Sequence, residues 1–160
     1  MINKIKSFGE NIINQAKINL TSINPETGKQ YNDLAPMLFE IIDNDTHSDY
    51  IRIDEGMSYR VSEVETSEED FVSQIQELLN KKAKENVALM FLRLSDKEEP
   101  DNGTVFKCSS IVLSIYSTEG AYIHTVDLYE KDNGDLRPYA DDWKLEKDFD
   151  TSIKNPYEKD

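Results

Sequence analysis

Apolar residues recur along this chain in two rhythms, and the alternation between them outlines the fold. Ile2, Ile5, Phe8, Ile12, Ala16 and Ile18 or Leu20 fall three or four apart, the spacing of one helical face, and predict an amphipathic helix over residues 3–20. Gly9 weakens that helix by about 1 kcal/mol of intrinsic propensity. Lys4, Lys6 and Lys17 occupy its other face. A membrane-surface helix has the same look, but the rest of the chain is too acidic for an anionic leaflet. The stripe is therefore expected to pack on the protein's own sheet.

Asn24 to Lys29 reads as a turn, with Pro25 fixing its own φ and Gly28 free to take a positive one. Gly28-Lys29 is no phosphate loop, because Asn24 and Gln30 stand where the pattern needs glycine and Ser or Thr. From Leu34 to Ile42 the apolar run is ambiguous. Asp33 as a cap and Pro36 in a first turn favour a short helix over a strand. Asn44 to Ser48 is a polar loop. Tyr50–Ile53 and Met57–Val61 then alternate at period two around Asp54-Glu55-Gly56, which predicts a hairpin.

The next helix is expected over residues 67–85. Ser67 with Asp70 is a variant capping box, Phe71, Ile75, Leu78 and Leu79 form its apolar face, and Lys81, Lys82 and Lys84 suit its C-terminal end. Val87 to Leu94 is apolar in both alternating sets, the mark of a strand buried on both faces. Lys97 to Gly103 reads as an exposed turn. Thr104 to Tyr116 reads as a strand bulged near Cys108-Ser109-Ser110, where the alternation slips. Ala121 to Tyr129 returns antiparallel with Tyr122, Val126 and Leu128 inward. Trp143, Leu145 and Phe149 are expected to anchor one last short element. The order predicts an α+β domain over residues 1–150: a mostly antiparallel sheet of about five strands, with two or three helices packed on it and covering one face. Residues 151–160 are expected to be a loose tail.

Composition changes this picture mainly through charge. Asp and Glu number 32 against 18 Lys and Arg, a formal net charge of -14 over 160 residues. Solubility in a small domain needs only about 2–8. Such a field attracts basic surfaces and repels nucleic acid and anionic membranes. The single cysteine, Cys108, excludes an internal disulfide framework. The N-terminus lacks the apolar core of a signal peptide, and no apolar run reaches the length of a bilayer span, so a cytoplasmic protein is expected.

Candidate chemistry is sparse. His47, His124 and Cys108 supply no close-spaced pair of zinc ligands. Cys108 reads as a small core side chain, and no glycine pattern makes Ser109 or Ser110 a nucleophile with His124. Asp43, Asp45, His47 and Asp49 share the spacing of the first calcium ligands of an EF-hand. The loop lacks the central glycine, and Asp54 stands where the final glutamate belongs. No metal or cofactor is expected.

The acids themselves are the candidate site. Asp43, Asp45, Asp49, Asp54, Glu55, Glu63 and Glu65 form one set; Asp127, Glu130, Asp132, Asp135, Asp141 and Asp142 form a second. Aromatic anchors ringed by charge are typical of protein interfaces. Tyr50 stands beside Asp43, Asp45, Asp49, Asp54 and Glu55, and Tyr139 and Trp143 beside Asp141 and Asp142, so these ten residues are the expected partner-binding set. The bland alternatives are an acidic coat that serves solubility, and a Tyr50–Tyr59 pair across the hairpin. The sequence thus predicts a non-enzymatic inhibitor or immunity-type protein. It would neutralise a basic protein, such as a nuclease, toxin or defence protein, by imitating the charge of nucleic acid. An adaptor or structural domain of a larger assembly is the alternative, and an enzyme with an unfamiliar carboxylate site is the third reading.

Overall fold

Strands that are apolar on both sides need cover on both sides, and this requirement organises the molecule. The computed structural model describes residues 1–31, 34–66, 69–101, 104–130, 136–138, 144–147 and 153–158, with the side chains of 96–101, 104–109, 129–130, 136–138 and 144–147 left aside. Its elements are α1 (Ile2–Thr21), β1 (Met37–Ile42), β2 (Ile51–Asp54), β3 (Met57–Glu63), α2 (Phe71–Lys82), β4 (Ala88–Asp101), β5 (Thr104–Ser117), β6 (Gly120–Glu130), β7 (Leu136–Pro138) and β8 (Lys144–Lys147). The strands form one antiparallel sheet in the order β2-β3-β1-β4-β5-β6, and both β7 and β8 pair with β6. The expected α+β class with an antiparallel sheet and packed helices is what the chain adopts. No helix among the described residues is long and apolar enough to cross a membrane.

The helices do not share a face. Phe39 and Ile41 on β1, Met90 and Leu92 on β4, and Ile111, Leu113 and Ile115 on β5 cluster with Ile5, Ile12, Ile13, Ala16 and Leu20 of α1. The alternate residues, Leu38, Leu89, Phe91 and Tyr116, cluster with Ile75 and Leu79 of α2 and with Ile153. The two faces of β1, β4 and β5 thus enter separate cores, and one-sided cover would have left Leu89 and Phe91 in water. The inward set of β6 is as expected, with Tyr122, Val126 and Leu128 in the α1 core.

Several local expectations are corrected. Residues 37–42 are a strand and not a helix. Pro36 lies just outside it, where its missing N–H does no harm, and its carbonyl accepts from Val64 N at 2.8 Å. Of the expected turn at Lys97–Gly103, residues 97–101 are strand, in unbroken register with β5 from Ala88↔Ser117 to Asp101↔Thr104, while Asn102 and Gly103 lie outside the described residues. The same continuity removes the expected bulge near Cys108. The alternation slips there because Ser110 is an inward polar residue, buried with its hydroxyl donating to Asp127 Oδ1 at 2.6 Å.

The second helix starts at Phe71, four residues later than expected, with Asp70 as N-cap at φ 60°; Ser67 and Glu68 lie outside the described residues. The C-terminal residues are anchored where they are described. Gln76 accepts from Lys154 N at 2.6 Å and donates to its carbonyl at 3.0 Å, Asn155 donates to Ser117 O at 2.8 Å, and Tyr157 to Asn86 O at 2.8 Å. Burial among these contacts pushes the Tyr157 phenol well above its ordinary pKa.

Gly9, a cost to α1 as a helix, is explained by the sheet. A Cβ there would lie 3.0 Å from Ile115 Cδ1 and 3.2 Å from Leu113 Cδ2. A side chain longer than a methyl would lift α1 off β5. Gly9→Leu is therefore expected to lower stability by about 1–3 kcal/mol, the range for overpacking, despite leucine's better helix propensity. Urea unfolding of the variant checks this; an unchanged midpoint would remove the close approach as the reason for glycine.

Candidate functional site

Five of the expected acids lie on two neighbouring segments, Asp43, Asp45 and Asp49 on the loop before β2 and Asp54 and Glu55 at the β2–β3 turn. The chain leaves β1 at Ile42, runs through Asp43–Tyr50 and returns as β2, so the loop lies beside the β2–β3 turn. The loop is built on local hydrogen bonds. Asn44 Oδ1 accepts from Thr46 N and Thr46 Oγ1, each at 2.8 Å, while the Ser58 hydroxyl donates to Asn44 O. His47 Nδ1 accepts from Asp49 N at 3.2 Å, and the His47 ring meets Tyr50 edge-on with centroids 4.8 Å apart. Asp45 closes the loop on the turn: its Oδ2 accepts from Gly56 N at 3.0 Å and lies 3.8 Å from Arg52 Nε. Gly56 takes φ 81°, the left-handed geometry that a two-residue turn needs.

The acids are not equivalent. Asp54 is turned back on the protein: it accepts from Glu55 N at 2.7 Å and stands 3.5 Å from Lys4 Nζ, and the two together hold its carboxyl below the ordinary range. Asp43, Asp49 and Glu55 are exposed and carry no ion pair among the described residues. They are the outward charges of these two segments. Glu63 ends β3 six residues from Met57, about 20 Å away at ~3.3 Å per residue. Asp127 lies on β6, across the sheet, bonded to Ser110. Neither joins the cluster. Tyr139, Asp141, Asp142 and Trp143 lie outside the described residues, as do Asp132 and Asp135.

Tyr50 does not pair with Tyr59. The register sets Ile51 opposite Tyr59, whose ring contacts Phe8 of α1 at 4.7 Å and Phe39 at 6.1 Å. Tyr50 lies instead under the guanidinium of Arg60, 5.1 Å from ring centroid to Cζ. Arg60 reaches inward to a residue the sequence reading missed. Glu40, in the middle of β1, has only 2% of its side chain exposed. It accepts from Arg60 Nε at 2.8 Å and Nη2 at 3.2 Å and from Asn86 Nδ2 at 3.1 Å, with Lys82 Nζ at 3.5 Å. Burial pushes its pKa up, but the bonds from Arg60 and Asn86 and the charges of Lys82 and Arg60 outweigh it and hold the carboxyl below its ordinary value. The acidic loop thus rests, through Tyr50 and Arg60, on a buried ion cluster. The available signal was a lone charge inside an apolar run, which in a two-sided strand must be paired.

The two histidines have unrelated settings. His47 belongs to the loop, and His124 is buried on β6 beneath Gly9, with an unpartnered Nε2. Burial lowers its pKa, Glu10 opposes this, and Lys6 adds to it. The sign follows: below about pH 6.5, the ordinary histidine value, the unfolded chain binds a proton that the folded chain refuses. Stability is therefore expected to fall as pH drops from 7 towards 5, and His124→Leu to flatten that part of the profile. Urea midpoints across this range, with His47→Gln as control, check it; an unchanged slope in His124→Leu would contradict it. Comparison of the chain with protein-family models, with curated proteins and with solved structures finds no match in any of the three.

Proposed function

We propose that this protein is an acidic inhibitor of the immunity type, which binds and neutralises a basic partner protein. The observation that carries the reading is the set Asp43, Asp45, Asp49, Asp54 and Glu55, held on an ordered loop and the neighbouring tight turn, in a chain of net charge -14. Charges fixed on a scaffold present one pattern to a partner and lose little freedom on binding. A basic groove, of the kind that otherwise holds nucleic-acid phosphates, is the surface they fit. The overall field would speed its approach.

The test is retention of a basic protein from lysate by the immobilised chain at low and moderate salt, followed by affinity and rate measurements with that protein. Asp49→Lys with Glu55→Lys is expected to slow association more than it speeds dissociation. Stability should shift by less than about 0.5 kcal/mol, since both sites are exposed. A partner whose affinity ignores both salt and the double reversal would favour the adaptor reading, with an apolar interface elsewhere.

A further inference from the structure

Among the described residues the sheet ends at β2 on one side, while on the other both β7 and β8 pair with β6. β2 has β3 on its inner side and, among the described residues, no strand on its outer side. Alternate backbone N–H and C=O groups of β2 therefore face outward with no ladder partner. Next to that edge runs an open groove of about 350 Å³ between α1 and β2, with Lys4, Ser7, Phe8 and Asn11 on the helix side and Ile53 and Asp54 on the strand side, Lys4 and Asp54 being paired at 3.5 Å. Ile51 lies on the same face, opposite Tyr59 in the register, with 58% of its surface exposed. Apolar side chains, a groove and an unpaired ladder thus adjoin.

Resting on the reading of the protein as a binder of a basic partner, we propose that the β2 edge and the α1–β2 groove receive an extended basic segment of that partner, added to the sheet as an outer strand. Its backbone pairs with β2, alternate apolar side chains enter the groove over Ile51 and Ile53, and its Lys and Arg side chains reach Asp49, just before β2, and Glu55, at the turn that follows it. Charge selects this occupant over a second copy of the chain. A copy's own β2 would bring the same acids face to face, and the strand is short, with a register shift between Arg52 and Asp54, both features that discourage edge-to-edge pairing of like strands.

The probes are short capped peptides: one alternating lysine and valine, the same peptide with a central proline, and one of lysine alone. The alternating peptide is expected to bind about tenfold more tightly than the proline peptide, the effect of losing a backbone hydrogen bond. It should also slow amide exchange in β2. Ile51→Lys, at an exposed site, should abolish its advantage. Equal binding of all three peptides, with β2 exchange unchanged, overturns strand addition and leaves the charge reading standing. Failure of every basic peptide to bind overturns both.

Discussion

Truncating Arg60 to alanine is expected to cost about 3 kcal/mol, the lower end for breaking a buried ion pair because a second cation remains. The cost lies in what is left behind. Glu40 is 2% exposed and would keep Lys82 at 3.5 Å and Asn86 at 3.1 Å, but would lose both bonds from the guanidinium. Removing the carboxylate is a different experiment. Arg60 and Lys82 have side chains 40% and 27% exposed and can turn to water. Glu40→Met, which fills the space with apolar atoms, should therefore cost less than Arg60→Ala.

Acid sharpens the same test. A carboxyl held below its ordinary pKa contributes stability that is complete at neutral pH and is lost as pH falls through and below the usual carboxylate range. With Arg60 gone less of that contribution remains to be lost, so the cost of Arg60→Ala should be largest at neutral pH and shrink in acid. Urea titrations of both variants at neutral and acidic pH check the order. If Glu40→Met proved the more damaging, the cluster would not act as a buried carboxylate with replaceable cations.

Leu79→Ala should cost about 2–5 kcal/mol, the range for a buried leucine whose site cannot collapse. Leu79 is fully buried in a small cluster with Ile75, Leu89, Phe91 and Leu38, and this cluster joins α2 to the sheet. Few other buried apolar side chains tie the helix down, so the loss should also loosen the 153–158 segment, which α2 holds through Gln76. Thermal unfolding reads the first effect and amide exchange at Lys154 the second. A melting midpoint within error of the parent would mean that this cluster carries little of the fold.

Elements with one dry face were legible in the sequence. The stripe from Ile2 to Leu20, the alternation around Gly56 and the Phe71–Leu79 face each appear where periodicity put them, within a few residues. β1 was not legible, because both its faces are buried and its short apolar run contains Glu40. A charge there reads as solvent-facing until a partner is known, and Arg60 is twenty residues away. The acidic set was visible as composition. What periodicity could not show was that Asp45 closes on Gly56 while Glu63 stands at the far end of β3, since loop closure depends on side-chain bonds that leave no rhythm in a sequence.

The strand order has a kinetic consequence. β4, β5 and β6 pair in chain order, as do β2 and β3, so each group can form from near neighbours in the chain. Within the sheet the two groups meet through β1, which pairs with β3 on one side and with β4 on the other, Met37 facing both Glu63 and Leu92. Pairings of high sequence separation close late, because loop entropy must be lost before they form. β1 is then the seam at which two independently nucleating halves are joined. Glu40 lies in that seam, bonded to Arg60 in one half and to Asn86 at the threshold of the other. Its variants should therefore leave early hairpin formation untouched and retard the final docking step.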